Sequence, residues 1–113
     1  MNYPKIVKVV EKCLDEHKAE DIKVYDVREL TPFSDYYLVA TAPNERALGA
    51  LVDYLEDDLA KEKIDLVNKD GTTESGWIIA DFGSLLVHLF TLEKRNEIDL
   101  AGLLEHTAEK LKK

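Results

Sequence analysis

GWIIADFGSLLVHLF, residues 76–90 of this 113-residue chain, has the pattern of two β-strands joined by a tight turn. Large apolar residues occupy both odd and even positions of this stretch. Successive side chains of a strand point to opposite faces of a sheet, so both faces of this hairpin carry apolar side chains. We therefore expect a sheet that must be covered on both sides.

Taking Phe82-Gly83 as the two-residue loop fixes a predicted register for the hairpin. Its cross-strand pairs are Asp81 with Ser84, Ile79 with Leu86, and Trp77 with His88. One face, here named the Trp77 face, then carries Trp77, Ile79, Asp81, Leu86, His88 and Phe90. The opposite face carries Ile78, Ala80, Leu85, Val87 and Leu89. The second set is small and aliphatic, as expected of a layer packed under helices, and we assign it to the main core.

The Trp77 face has two interpretations. An indole, an imidazole, a phenyl ring and a carboxylate on one surface are typical of an interface anchor. The same set also suits a plain sheet core with one satisfied histidine, because continuous apolar strands are normal where a sheet is flanked on both sides. The pattern alone leaves both interpretations open.

Three helices are predicted from apolar periodicity and capping residues. Pro4 suits a first helical turn, which gives helix one over residues 3–19. Asn44 is a good N-cap for helix two over 44–62, and Asp99 for a last helix. Inward residues of that last helix are Leu100, Leu103, Leu104 and Leu111. The outer face of helix two carries Asp53, Glu56, Asp57 and Asp58, which we interpret as a solvated surface rather than a metal site.

Three further strands are predicted. β-rich runs cover 22–27 and 36–42, and a short run at 66–68 precedes a polar loop over 69–75. The element order is α-β-β-α-β-β-β-α. We therefore expect an α+β (mixed α/β) fold, with a mixed sheet of about five strands and helices packed mainly on one face.

Size and composition indicate one domain, residues 1–113. The chain is 45% hydrophobic and long enough to bury a core without disulfides or a metal. Cys13, the single cysteine, falls on the apolar stripe of helix one and is expected to be a small buried hydrophobe in a reducing compartment. The sequence has neither a signal-peptide pattern nor a membrane-spanning run, so we expect a cytoplasmic location and no membrane partner.

The formal charge of −8 constrains the partners. Such a chain repels phosphate backbones, so direct nucleic-acid binding is disfavoured. Complementary potentials favour a basic partner instead, although solubility alone also explains an acidic surface.

The motif search predicts no catalytic residue, no metal and no cofactor. The sequence has no glycine-rich phosphate loop, and the histidines at 17, 88 and 106 are scattered without a zinc or nucleophile pattern. Gly83-Ser84 is similar to the Gly-Ser that opens nucleotidyltransferase sites, but residues 85–90 hold no carboxylate for the metals. A degenerate nucleotidyltransferase-like nucleotide-binding protein or enzyme remains the alternative to a binding module.

Several short motifs occur in an order that resembles one family. They are Asp26-Val27-Arg28, SDYYLVATA at 34–42, Gly76-Trp77, Asp81-Phe82-Gly83 and Val87-His88-Leu89-Phe90. Arg46, Arg95 and Asp99-Leu100 also fit. Residues 5–104 together resemble the ribosomal silencing factor family, RsfS or Iojap.

This resemblance implies a nucleotidyltransferase-like fold without catalytic acids and a non-enzymatic role. It implies binding to the large ribosomal subunit through ribosomal protein fourteen of that subunit (the uL-fourteen family), with little direct nucleic-acid contact. Docking there blocks joining of the small subunit and represses translation under nutrient limitation. A role in large-subunit maturation is also implied.

The resemblance also suggests which residues meet the partner. Trp77 and Ile79 are apolar anchors with His88 and Phe90 beside them, and Asp35 and Asp81 are acceptors for lysine or arginine. Ser34, Tyr36 and Glu74 are rim residues. A homodimer that uses the same Trp77 face is a further alternative.

Overall fold

A computed structural model describes residues 4–32, 34–99 and 102–103. The elements are α1 (Lys5–Glu16), β1 (Glu20–Asp26), β2 (Tyr36–Ala42), α2 (Glu45–Lys61), β3 (Asn68–Thr72), β4 (Trp77–Asp81), β5 (Leu85–Thr91) and α3 (Leu92–Arg95). The mixed α+β class and the predicted order from α1 to β5 are confirmed, whereas α3 was not predicted and precedes the last helix expected after Asp99. Within the described ranges, no helix is both long and apolar enough to span a membrane.

The five strands form one sheet in the order β1-β2-β5-β4-β3. β2 runs parallel to β5, and every other neighbouring pair is antiparallel. β2 and the central strand β5 are buried along their whole length, as expected of interior strands in a sheet covered on both faces.

The hairpin register differs from the prediction by two residues. Its pairs are Asp81 with Leu86, Ile79 with His88 and Trp77 with Phe90. The turn explains the shift: Phe82 N donates to Leu85 O at 2.9 Å, so the loop is Gly83-Ser84 rather than Phe82-Gly83. Gly83 has φ 89°, the left-handed value that a primed two-residue turn needs. Because the shift is even, every side chain stays on its predicted face.

The third strand was also misplaced. β3 covers Asn68–Thr72, so it takes in much of the predicted polar loop rather than residues 66–68. β3 is an edge strand whose side chains are mostly exposed, so its hydrogen bonds to β4 define it without an apolar alternation.

Both long helices end where a lysine takes a left-handed backbone conformation. Lys18 has φ 64° and Lys63 has φ 60°, so α1 ends at Glu16, earlier than the predicted 19, and α2 ends at Lys61. Asn44 is confirmed as the N-cap of α2, since its side chain accepts from Ala47 N at 2.8 Å.

The first core, here named the helix-side core, lies between the sheet and helices α1 and α2. It contains the five aliphatic hairpin residues predicted for it, Ile78, Ala80, Leu85, Val87 and Leu89. Cys13 is buried in it as predicted. Burial and the adjacent Asp58 carboxylate raise the pKa of the Cys13 thiol to about 12, so the free protein keeps a neutral thiol at physiological pH.

A second core covers the opposite face of the sheet. Its buried members are Val27, Tyr37, Val39, Trp77, Ile79, Leu86, Phe90 and Leu103. The Asp99 cap is confirmed, because Asp99 Oδ1 accepts from Gly102 N at 2.7 Å. Leu103 points inward as predicted, whereas Leu100, Leu104 and Leu111 lie outside the described residues.

Two glycines, Gly71 in the edge strand β3 and Gly83 in the β4–β5 turn, allow a matched test of how closely the backbone packs. Gly71 and Gly83 both have positive φ, 96° and 89°. A Cβ on Gly71 would clash with the backbone oxygen of Trp77, whereas one on Gly83 meets nothing within 4 Å. We expect Gly83→Ala to cost about 1–2 kcal/mol, the penalty of a left-handed alanine, and Gly71→Ala to cost more because backbone must move. Urea denaturation followed by circular dichroism measures both, and equal losses would contradict the predicted contact.

Candidate partner-binding site

Four of the predicted residues form one aromatic and apolar cluster on the Trp77 face. The Trp77 and Phe90 rings lie 4.8 Å apart, and Trp77 lies 5.9 Å from the His88 ring. Ile79 and His88 are direct cross-strand partners. The sequence therefore placed these four side chains together correctly, although with a shifted pairing.

A hydrogen bond links the two polar rings of this cluster. Trp77 Nε1 donates to His88 Nδ1 at 3.1 Å. An indole N–H can only donate, so Nδ1 carries a lone pair and the imidazole is neutral with its proton on Nε2. His88 thus acts here as the acceptor that satisfies the tryptophan.

Tyr37 belongs to the same cluster and was missed from sequence. Its ring lies 4.7 Å from the His88 ring, and Tyr37 pairs with Leu86 across β2 and β5. The available signal was the strict alternation of β2, which turns Tyr37 away from Tyr36. This signal is useful only if β2 is known to lie beside β5. The sequence does not show that, because α2, β3 and β4 separate the two strands along the chain.

The cluster is almost entirely covered by the chain itself. Trp77 is 6% exposed, Ile79 5%, Phe90 1% and His88 0%. Leu103 packs in the same core and Ile98 packs against it. The cluster therefore has the burial of sheet core, and a partner meets only the edges of these side chains.

Two carboxylates lie at the same end of the sheet, where β2 and β5 begin and β4 ends, here named the acidic end (Asp35 and Asp81). Asp35 N donates to Ser84 O at 3.0 Å, while Asp81 Oδ1 accepts from Gly83 N at 2.8 Å. Asp35 is exposed and Asp81 half-buried. Among the described residues, neither forms an ion pair within 4.0 Å. Both carboxylates are available to an external cation.

Ser34 also lies at this end, but its side chain is used inside the chain. Ser34 Oγ donates to Ser84 O at 2.8 Å and lies 3.1 Å from Tyr36 O, and the residue is buried. The hydroxyl therefore ties the start of β2 to the β4–β5 turn. Its contribution to the acidic end is to hold Asp35 in place.

A third carboxylate near this end is already neutralised. Arg28 Nη2 lies 2.6 Å from Asp26 Oδ2, and this pairing holds the pKa of Asp26 below its usual range and raises the pKa of Arg28. The Arg28 guanidinium also lies over the Tyr36 ring, 5.4 Å from its centroid. Asp35 adds to the negative charge that raises the Arg28 pKa, so this guanidinium lies in the field of both Asp26 and Asp35.

The structure does not bring Tyr36 and Glu74 to the same place. Tyr36 is buried in the helix-side core, because it alternates with Tyr37 along β2. Glu74 is exposed in the β3–β4 turn, next to Trp77 and at the opposite end of the sheet from Asp81. A five-residue strand separates the two ends by about 16 Å.

The open side of Trp77 borders a cavity of about 610 Å³. It is lined by Lys69, Asp70, Gly71, Thr72, Ser75, Trp77, Lys94 and Ile98. Two lysines line this cavity: Lys94 follows Thr91 near Gly76, whereas Lys69 pairs with Ala80 and its Nζ lies 3.3 Å from Glu56 Oε1. Sequence reasoning missed this cavity because it assigned residues 69–75 to a loop.

The burial of Trp77 predicts that its truncation destabilises the fold. We expect Trp77→Ala to lower the free energy of unfolding by about 3–5 kcal/mol, as for other buried aromatic residues. Trp77→Phe keeps the ring contact with Phe90 and loses the hydrogen bond to His88, so we expect about 1–3 kcal/mol. Chemical denaturation measures both losses. A Trp77→Ala protein as stable as the parent would restore the exposed-anchor interpretation.

Comparison with known proteins identifies the family. The sequence profile of the family described as "Ribosomal silencing factor during starvation" matches residues 1–112. The Bacillus subtilis (strain 168) protein named ribosomal silencing factor RsfS is 26% identical over 103 residues, covering 91% of this chain and 87% of that protein.

A mouse protein and a solved structure extend the comparison. Mouse "mitochondrial assembly of ribosomal large subunit protein 1" is 30% identical over 93 residues, covering 80% of this chain and 41% of that protein. A crystal structure from Chromobacterium violaceum superposes with a TM-score of 0.82 at 27% identity, covering 93% of this chain and 88% of that one. With the family profile matched over nearly its whole length and the fold shared, the chain belongs to the RsfS family.

Proposed function

We propose that this protein is a ribosomal silencing factor that binds the large ribosomal subunit and has no catalytic activity. The observation that carries the proposal is the match of the RsfS family over residues 1–112. The names of the bacterial and mouse relatives, ribosomal silencing factor and large-subunit assembly protein, support a ribosomal partner.

In this proposal the docking partner is ribosomal protein uL-fourteen. Occupying its surface on the large subunit excludes the small subunit, which represses translation when nutrients are limiting. Assistance in large-subunit maturation is a second consequence of binding the same particle, and the name of the mouse relative supports it. The protein acts in the cytoplasm.

Charge supports a ribosomal protein rather than rRNA as the surface contacted. The chain carries a net charge of −8, and among the described residues the Asp35 and Asp81 carboxylates of its acidic end form no ion pair within 4.0 Å. Lysine and arginine side chains of a basic protein complement that end, whereas phosphate groups are repelled by it.

The buried aromatic and apolar cluster of the Trp77 face contributes to the proposed interface indirectly, by holding β4 and β5 in position. Trp77, Ile79, His88 and Phe90 pack β4 against β5, and so position Asp81 at the end of β4. The accessible edge of Trp77 and the nearby Glu74 contribute at the other end of the sheet. A standard interface buries about 800 Å² on each partner, which is broad enough to include both ends.

Sedimentation with purified ribosomal subunits tests the proposed function. The protein should pellet with isolated large subunits but not with small ones, and should prevent their joining on a sucrose gradient. Failure of the folded protein to bind large subunits would overturn the proposal. Calorimetric heat with nucleoside triphosphates and Mg²⁺ would then favour the nucleotide-binding alternative, and a dimer by ultracentrifugation the self-association alternative.

Charge reversal at the acidic end should weaken binding selectively. We expect Asp35→Lys to weaken affinity for the large subunit about tenfold at low salt, mainly through slower association, and to flatten its salt dependence. Asp53→Lys is the matched control, since Asp53 is an exposed acid on α2, in the helical layer. Surface plasmon resonance at two ionic strengths measures both variants. Equal effects of the two would mean that only net charge matters and would remove Asp35 from the interface.

A further inference from the structure

We propose that Cys13, His17 and Asp58 form a binding site for a zinc-class divalent cation that joins α1 to α2. One possible ligand atom from each residue lies within 4.8 Å of the others. His17 Nε2 and Asp58 Oδ2 are already 4.0 Å apart. In a tetrahedral zinc site the ligand atoms are about 3.3–3.8 Å apart, so side-chain adjustments of about 1 Å complete the geometry.

The two helices place these ligands without distortion of the backbone. Cys13 lies on α1 and His17 directly follows its last residue, four positions later, so both face the same side. Asp58 comes from the facing side of α2 and is half-buried, not on the fully solvated surface that its spacing predicted. Two elements distant in sequence therefore supply three ligands to one point.

A neighbouring ring orients the imidazole. Tyr54 stacks on His17 with ring centroids 3.7 Å apart and an angle of 3° between the planes. Metal-binding histidines generally depend on such outer contacts to fix their rings. Tyr54 is thus a positioning residue for His17.

The donor set selects the class of cation. A cysteine sulfur, an imidazole nitrogen and a carboxylate oxygen are the three ligand types of zinc, whereas magnesium and calcium require oxygen ligands. Binding forms a metal–sulfur bond as the thiol proton leaves to the solvent, and no group is oxidised or reduced. The cation thereby replaces the proton that Cys13 holds in the free protein.

A cavity of about 340 Å³ is lined by two of the three ligands, Cys13 and Asp58, and leaves room for a fourth ligand beside them. Glu16 and Glu62 line it, together with Lys12 and Lys61. Lys61 Nζ lies 3.9 Å from Asp58 Oδ1. This ion pair is long, so a metal ion can displace the lysine from the carboxylate. The fourth ligand is then water or one of the two glutamates.

Cobalt substitution tests the site through the sulfur ligand. Tag-free protein titrated with Co²⁺ should bind one equivalent and develop both sulfur-to-cobalt charge-transfer absorption and the visible bands of tetrahedral cobalt. Zn²⁺ should then bleach these bands by displacement. Binding without the charge-transfer band would exclude Cys13 and overturn the proposal.

Variants separate ligation from folding. His17→Gln alters a partly exposed residue at the end of α1, and Cys13→Ser removes the sulfur; each should weaken Zn²⁺ affinity on the order of a hundredfold, the loss expected for one ligand. Asp57→Asn, an exposed neighbour of Asp58, should bind like the parent. Zn²⁺ should also raise the melting temperature of the parent and not of His17→Gln. Unchanged affinity in His17→Gln would contradict the assignment, whether or not Cys13→Ser folds.

Discussion

The structure depends on the need to remove both faces of the β4–β5 hairpin from water. β5 is buried at every position, and its side chains divide between two separate cores. Helices α1 and α2 satisfy one face. The helical layer cannot cover the other face. Ile98 and Leu103, which follow α3 in the chain, provide part of that cover. Alternation along a strand makes these two requirements independent of each other.

This constraint decides how much could be predicted from the sequence. The aliphatic and mixed faces of the hairpin, the span of β2 and the caps at Asn44 and Asp99 follow from local alternation and side-chain chemistry, and they are confirmed. The hairpin register was wrong by two residues, because two adjacent dipeptides both contain the glycine that a tight turn needs. Face assignment survived this error since pairing shifts of two preserve alternation.

Other features could not be predicted because they depend on contacts distant in sequence. β3 is defined by its bonds to β4 and carries almost no apolar pattern. The parallel pairing of β2 with β5 brings Tyr37 to His88 across about fifty residues of chain, and no spacing rule indicates it. The predicted rim also divides, because Ser34 and Tyr36 are buried whereas Glu74 is exposed.

The division of the predicted site has a physical consequence for how such a domain recognises a partner. Aromatic side chains that are hydrogen-bonded and packed internally supply little new apolar burial when a partner docks, so affinity must come from the charged and polar periphery. The Trp77–His88 hydrogen bond is an internal requirement of this kind, because an indole N–H left unsatisfied in the second core would cost more than the bond contributes. Stability is therefore concentrated at the centre of the Trp77 face. In the function we propose, electrostatic complementarity to the partner lies at the acidic end. Under that proposal, substitutions at Asp35 change recognition, whereas the second core does not include Asp35 and stays intact.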